Sequence, residues 1–259
     1  MNDKAANTTT KAAIRQRIWD HMERNDLANY PRPVHHRIPN FKGANAAGEK
    51  VVAMETFKNA KTVKVNPDKP QEFVRYKALE ENKVLLVPTP RLKNGLFNRI
   101  VPPSDGNTAT LKKCATKEGI TNYSTPVGLD HKVNIDLIVI GSVAVSTKGY
   151  RIGKGEGYAD MEYAMMVTMG AVNYDTVVIT TVHDCQIVDI PDELTDDHDL
   201  TVDYIITPTR VIHCKVERQL RPTGIQWSRI TPQMLKDIPI LRDLRERERK
   251  LGRDISLKE

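Results

Sequence analysis

Short apolar runs separated by polar segments predict the strands of a buried sheet. The runs lie at residues 62–65, 83–87, 135–140 and 176–180. The third run is almost continuously apolar, which is typical of a strand that is covered on both faces. A helical pattern at 70–82 connects the first two runs, and a strand–helix–strand crossover places its two strands parallel. The pattern therefore predicts an α/β fold with three layers and a mainly parallel sheet.

A helix is predicted near the start of the chain. Ile14 and Ile18 repeat at helical spacing after Thr10, a residue type that caps helix N-termini. The other face of this helix carries two cations, Lys11 and Arg15, one turn apart. From their spacing alone, these cations are ordinary solvated charges on a surface helix.

The remaining segments carry weaker signals. Residues 30–41 contain three prolines, which exclude a helix interior, so we predict a loop there. The adjacent His35 and His36 lack a nearby second ligand cluster, and a metal site is not expected. The acidic stretch 189–203 is predicted to be a solvated loop without a metal. Further predictions are helices at about 46–60 and 110–117, a loop-rich flank at 92–128 and a hairpin at 204–215.

The two ends of the chain differ in composition from its centre. Charges of both signs alternate after Leu241, which predicts a solvent-exposed helix. The first residues are polar and are predicted to be disordered. The predicted organisation is a disordered N-terminus at 1–9, an α/β domain at 10–217 and a charged C-terminal extension at 218–259.

The amino-acid composition limits the cellular compartments and the classes of partner that are expected for the protein. Of the 259 residues, 39% are hydrophobic and 28% are charged, which is typical of a soluble globular protein. No apolar run approaches the ~20 residues of a membrane helix, and the first ten residues lack a signal core. We therefore expect a cytoplasmic protein without a membrane partner, with access to the nucleus left open. Three scattered cysteines indicate reduced thiols, and the net charge of +6 favours nucleotides, phosphorylated cofactors or nucleic acid as partners.

The segment 149–160, Gly-Tyr-Arg-Ile-Gly-Lys-Gly-Glu-Gly-Tyr-Ala-Asp, carries the strongest candidate chemistry. It lies between the buried run at 135–140 and a helical pattern at 161–171. Alternating glycines let a backbone approach a ligand closely, and the first amides of a helix point toward an anion. Arg151 and Lys154 add positive charge beside this glycine loop. The segment therefore predicts a phosphate site, because a simple strand-to-helix turn requires neither three alternating glycines nor two cations.

The two common glycine templates do not fit this loop. A Walker loop ends in Gly-Lys-Ser/Thr, whereas Lys154 is followed by Gly155 and Glu156, and a dinucleotide fingerprint needs a glycine where Tyr158 stands. The pattern that remains is Arg-Ile-Gly-x-Gly-x-Gly-Tyr-x-Asp. It resembles the Arg-Leu-Gly-x-Gly-x-Gly-Tyr-Tyr-Asp signature of the 5-formyltetrahydrofolate cyclo-ligase family.

Two further elements match this family. Lys11 and Arg15 resemble a Lys-x-x-x-Arg pair on its opening helix, and Arg91 resembles the arginine of a Pro-Arg pair at a strand end. The resemblance implies a Rossmann-like, NagB/RpiA/CoA-transferase-like fold and conversion of 5-formyltetrahydrofolate to 5,10-methenyltetrahydrofolate with ATP and Mg²⁺. The roles that it implies are nucleotide binding by Lys11, Arg15, Arg91, Gly153, Lys154, Gly155, Gly157 and Tyr158, a catalytic role for Arg151, and Mg²⁺ binding by Asp160.

Three departures from the family pattern leave the phosphate side largely intact and alter the folate side. The second tyrosine of the signature is Ala159, and an acidic residue before the glycine loop is Ser146. The stretch 66–70 lacks the glutamate that binds folate in the enzymes. We therefore expect a diverged member, close to the branch whose proteins contain a methenyltetrahydrofolate synthetase domain, with weak or no turnover of a reduced folate. An active cyclo-ligase is the alternative, and RNA binding through the basic surface is a further hypothesis, since vertebrate members of that branch carry an RNA-recognition domain.

Overall fold

A computed structural model describes residues 9–92, 95–104, 106–218 and 221–258. Residues 1–8 of the predicted disordered N-terminus lie outside these ranges. The strands of the main sheet are β1 Thr62–Val65, β2 Val84–Pro88, β3 Phe97–Ile100, β4 Ser124–Val127, β5 Leu137–Gly141, β8 Val177–Thr181, β9 Tyr204–Ile206 and β10 Val211–His213. A separate hairpin consists of β6 Ala144–Val145 and β7 Arg151–Ile152.

The main sheet has the order β10-β9-β8-β5-β1-β2-β3-β4. Its five central strands, from β9 to β2, pair in parallel, whereas β10, β3 and β4 pair antiparallel. The predicted mainly parallel sheet is confirmed, and all four apolar runs form strands of it. The loop-rich flank predicted at 92–128 is wrong in part, because β3 and β4 extend one edge of the sheet there.

Helices cover both faces of the sheet, which confirms the three-layer α/β fold. Their bounds are α1 Lys11–Arg24, α2 Ala44–Ala53, α3 Glu55–Asn59, α4 Glu72–Glu80, α5 Thr108–Cys114, α6 Lys117–Asn122, α7 Tyr158–Thr168, α8 Pro232–Asp237 and α9 Pro239–Lys250. Helices α1 to α6 contribute to one hydrophobic core, and α7 to α9 pack into the other. Among the described residues, no helix combines the length and the apolar character that a membrane crossing requires.

Alternation along β1 distributes its side chains between the two cores. Val63 and Val65 are buried in the core beneath α1 to α6. Lys64, between them, points to the face that α7 covers, where Leu86 and Ile138 of the neighbouring strands supply apolar side chains. A charged residue thus lies in the centre of a sheet that is buried on both faces.

The predicted start of the first helix is confirmed, whereas the second predicted helix is divided into two. The Thr10 side chain accepts a hydrogen bond from the Ala13 amide at 3.1 Å, as expected of an N-cap. The helix predicted at 46–60 is broken at Met54, whose extended backbone (ψ 140°) separates α2 from α3.

The C-terminal segment is helical as predicted but is only partly exposed. Leu241 and Leu244 of α9 are buried in the second core, together with Trp227. The Trp227 indole donates a hydrogen bond to the Glu248 carboxylate. The mixed charges of α9 therefore form its outer face, while its inner face contributes to the same hydrophobic core as α7.

Candidate functional site

The glycine loop joins β7 to the N-terminus of α7. The strand predicted at 135–140 does not run directly into this loop, because the β6–β7 hairpin lies between them. Gly155 and Gly157 adopt left-handed backbone conformations, with φ of +100° and +70°. Such conformations are costly for residues with a Cβ atom, so both glycines are required by the loop geometry. The helix begins at Tyr158, which places its first amides at the end of the loop.

Arg151 lies beneath the loop and is held by the main chain of the central strand. Its side chain is only 4% exposed. The Nε and Nη2 atoms donate to the Gly141 carbonyl at 3.1 and 2.9 Å. Its Nη1 atom lies 3.7 Å from Asp160 Oδ1, in the first turn of α7. Arg151 therefore links the end of β5 to the helix that follows the loop.

The opening helix brings Arg15 to the same loop and Lys11 to a neighbouring carboxylate, Asp199. Arg15 Nε donates to the Gly153 carbonyl at 2.7 Å, and its guanidinium lies close to Gly155. Burial and the neighbouring Arg151 charge lower the pKa of Arg15, and two nearby carboxylates oppose this shift. Lys11 Nζ binds Asp199 Oδ2 at 2.5 Å. Residues far apart in the sequence thus form one cationic cluster.

The remaining predicted cations lie on the outer side of the loop. Lys154 Nζ is 2.8 Å from Glu156 Oε2. The Arg91 side chain is 62% exposed, and its Nη2 atom is 3.9 Å from Glu156 Oε1. Glu156 was not among the predicted site residues, yet it lies between both cations. Tyr158 packs partly against the second core, so its ring supports α7.

Carboxylates gather beside Asp160. Asp160 Oδ1 accepts a hydrogen bond from the Leu200 amide at 3.0 Å, which brings the 196–200 loop to the N-terminus of α7. In that loop, one ligand atom each from Asp196, His198 and Asp199 lies within 4.8 Å of the others. The sequence predicts no metal in this stretch, but the fold places its carboxylates next to the predicted Mg²⁺ ligand. Oxygen-rich groups of this kind suit Mg²⁺.

A buried ion pair supports the floor of the site. Lys64 of β1 and Glu162 of α7 contact each other, and their side chains are 1% and 4% exposed. Lys64 Nζ also donates to Asn66 Oδ1 at 2.6 Å. Burial lowers the pKa of Lys64 and raises the pKa of Glu162, and the attraction between the two opposes both shifts. The pair fastens the second turn of α7 to the central sheet and was not predicted.

Comparison with known proteins identifies the family to which the chain is similar. A sequence model described as the 5-formyltetrahydrofolate cyclo-ligase family matches residues 7–208. The chain is 61% identical over 250 residues to a methenyltetrahydrofolate synthase domain-containing protein of Bos taurus and 60% identical to that of Mus musculus. These matches cover 96% of the chain but only 66% and 67% of the relatives, so the chain spans about two thirds of their length.

A solved structure also resembles the chain. The NMR structure of Aquifex aeolicus 5,10-methenyltetrahydrofolate synthetase aligns with 79% of this chain and 93% of its own, at 19% sequence identity and a TM-score of 0.49.

Proposed function

The chain belongs to the 5-formyltetrahydrofolate cyclo-ligase family, and from this premise we propose that it keeps a site for Mg²⁺-bound ATP while it turns over folate weakly or not at all. The observation that carries the proposal is the contact of Arg15 with the glycine loop, across 138 residues of sequence. A guanidinium from a separate helix is not needed to close a tight turn. Beside a buried Arg151, it creates a site that favours an anion.

The phosphate side divides into fixed and exchangeable cations. Arg151 is held in place by the Gly141 carbonyl and offers a fixed positive charge under the loop. Lys11 and Lys154 are paired with carboxylates and can exchange those partners for phosphate oxygens. The amides at the start of α7 add donors to the same place. Together these groups would bind and orient a triphosphate and neutralise the charge that develops during phosphoryl transfer.

The carboxylates beside the loop fit a magnesium ion. Asp160 and Asp199 would hold it, because Asp199 belongs to the 196–200 loop and the amide of the following residue, Leu200, donates to Asp160 Oδ1 at 3.0 Å. When bound, Mg²⁺ would neutralise phosphate charge. With Asp199 bound to a metal, Lys11 would lose its carboxylate partner and would be available to the nucleotide.

The folate side supports weak turnover. Ala159 lacks the ring and hydroxyl of the family's second tyrosine, and the stretch 66–70 contains no glutamate. Loss of orienting contacts that misplaces a substrate by about 1 Å can cost ~100-fold in rate.

Calorimetric titration with Mg·ATP tests the nucleotide site. Arg15→Ala removes a charged donor, and charged hydrogen bonds contribute ~1.5–3 kcal/mol, so the dissociation constant is expected to rise about 10- to 150-fold. Arg17→Ala, on the exposed face of the same helix, is the matched control and should leave the affinity unchanged. Absence of heat with the unmodified chain at millimolar nucleotide would contradict the proposal.

Turnover is measured separately, as absorbance of the methenyl product from 5-formyltetrahydrofolate with ATP and Mg²⁺. We expect little or no product. Robust formation that Asp160→Ala abolishes would instead identify an active cyclo-ligase.

A cleft among α2, α4 and α5 favours RNA binding as a second candidate function. The cleft has a volume of about 920 Å³ and is lined in part by Phe73, Tyr76, Lys77 and Lys112. The two rings meet edge to face, and the ammonium groups of the two lysines lie 5.3 and 5.4 Å from the Tyr76 ring centre. Aromatic rings beside cations are the usual means of binding single-stranded nucleic acid. The RNA-binding proposal concerns this chain alone and not the longer relatives.

A further inference from the structure

The C-terminal end of β5 is covered by a side chain from the 30–41 loop. A Cβ atom on Gly141 would lie only 2.5 Å from Ile38 Cγ2, so Ile38 packs directly against the main chain of this central strand. In open α/β sheets, ligands bind in the crevice outside the carboxyl ends of the strands. Ile38 therefore occupies space on the ligand side of the sheet.

Hydrogen bonds fix the loop on both sides of Ile38. The Trp19 indole donates to the Arg37 carbonyl at 3.1 Å, immediately before Ile38. After it, the Asn29 amide donates to the Asn40 carbonyl at 3.0 Å, and a bridge joins Ala28 to Phe41. The loop around Ile38 is therefore held in place on both sides, and Ile38 is not at a free loop tip.

Two oxygen acceptors meet at the same position as Ile38. Gln71 is fully buried and donates through Nε2 to Thr181 Oγ1 at 2.8 Å, but its Oε1 atom has no hydrogen-bond partner among the described residues. From a Cβ position on Gly141, Gln71 Oε1 would lie at 3.1 Å and Asp68 Oδ2 at 3.2 Å. Because buried polar atoms are normally paired, an unpaired acceptor in this crevice indicates a ligand that donates a hydrogen bond.

We propose that Ile38 is a specificity-determining residue, which limits the size of the ring that can place its N–H groups against Gln71 and Asp68. This inference rests on the proposed function, because it concerns the folate side of the same site. Ile38 covers both acceptors, so a ring reaches them only where this side chain gives way, and a bulkier, substituted ring needs a larger displacement than a small one. Weak turnover of 5-formyltetrahydrofolate then has a steric cause in addition to the missing glutamate and tyrosine.

The test is calorimetric titration of 5-formyltetrahydrofolate into Ile38→Ala, with Mg·ATP binding measured in the same preparations. One misfitting methylene changes discrimination about 10- to 200-fold, so the variant is expected to bind at least tenfold more tightly than the unmodified chain. Leu27→Ala is the matched control, because Leu27 is also partly buried against the first core but lies outside the 30–41 loop. The control should show no gain. Adding Gln71→Met to Ile38→Ala should remove the gain by removing the acceptor.

The outcomes separate this inference from the proposed function. Unchanged folate affinity in Ile38→Ala, with Mg·ATP binding intact, overturns the role of Ile38 and leaves the nucleotide site standing. Absence of Mg·ATP binding in the unmodified chain overturns the nucleotide site instead. An equal gain in Leu27→Ala shows general loosening and also overturns the proposal. Should thermal denaturation show that Ile38→Ala is unfolded, Ile38→Cys keeps a single γ atom and removes the branch at Cβ, from which the Cγ2 methyl faces Gly141, and its failure to tighten folate binding counts equally against the proposal.

Discussion

Removal of one member of the Lys64–Glu162 pair should be among the most destabilising single substitutions in this protein. Lys64→Met keeps the approximate length of the side chain and removes its charge. The Glu162 carboxylate would then remain in a core where its side chain is 4% exposed, without its ionic partner. Breaking a buried ion pair in this way typically costs ~3–5 kcal/mol. That is a large part of the ~5–15 kcal/mol by which proteins are usually stable.

The double variant should behave differently from either single variant. Replacing a buried pair by apolar side chains of similar volume is often neutral or stabilising by ~1–4 kcal/mol, because both desolvation penalties disappear. Lys64→Met combined with Glu162→Met is therefore expected to recover most of the lost stability. Such recovery requires that the two substitutions interact strongly, as expected for residues in direct contact.

The stability of Lys64→Met should also depend on pH. Burial already raises the pKa of Glu162 in the intact protein, and the Lys64 charge opposes that shift, so its removal raises the folded-state pKa further. A group whose pKa is higher in the folded state favours folding at low pH, and this contribution is lost as pH rises through the folded-state pKa. The loss of unfolding free energy in Lys64→Met, relative to the unmodified chain, should therefore be smaller near pH 5 than near pH 8.

Chemical and thermal denaturation measure these changes. For a chain of this size, each kcal/mol lowers the melting temperature by roughly 2–4 °C, so Lys64→Met should melt about 6–20 °C lower. The surface pair Lys58–Glu55 is the matched control, with side chains 52% and 76% exposed, and Lys58→Met should cost no more than ~1 kcal/mol. The reasoning is refuted if Lys64→Met costs as little as the control, or if the double variant loses the sum of both single losses.

Two other predictions concern the ligands. Asp199→Asn should weaken Mg·ATP binding about tenfold, because the substitution weakens a metal ligand. In EDTA, the same variant should bind ATP equally or more tightly, because Lys11 is freed from its carboxylate partner. Equal weakening with and without metal would contradict the role of Asp199. Fluorescence anisotropy of a labelled single-stranded RNA should show that the logarithm of the affinity falls with the logarithm of the salt concentration, by ~0.7 per phosphate contact. Phe73→Ala should reduce the binding free energy by ~1–3 kcal/mol without changing that slope. No binding at low salt would remove the RNA function for this chain.

The sheet could be predicted where burial dominates and not where it is weak. The strands at 62–65 and 135–140 are covered on both faces, so apolar residues mark them clearly. β4 is the edge of the sheet, mostly exposed, and contains Pro126, which an edge strand tolerates because one side needs no ladder donors. Its sequence therefore lacks the apolar run that marks a strand. The two-residue strands β6 and β7 are too short to leave any periodic signal.

The cations of the site could be predicted from local motifs, but their partners could not. Arg151 and Lys154 lie in the recognisable glycine loop, whereas Asp199 meets Lys11 only because the fold brings together residues 188 positions apart. Lys64 illustrates the opposite failure. In Thr-Val-Lys-Val, alternation normally indicates a strand with a solvated face. Helix α7 covers that face, so its lysine becomes part of a buried pair.

Gly141 connects the two halves of the proposed site. Its carbonyl oxygen accepts both hydrogen bonds that fix Arg151 on the phosphate side, while Ile38 packs against its main chain on the folate side. A side chain at this position would displace Ile38 and tilt the peptide that holds Arg151. Gly141→Ala should therefore weaken both ligand interactions together, whereas changes at Arg15 or Ile38 alter one side alone. Both sides of the proposed site depend on the peptide group of Gly141. The residues on the folate side can therefore change without disturbing the phosphate side only while this glycine is retained.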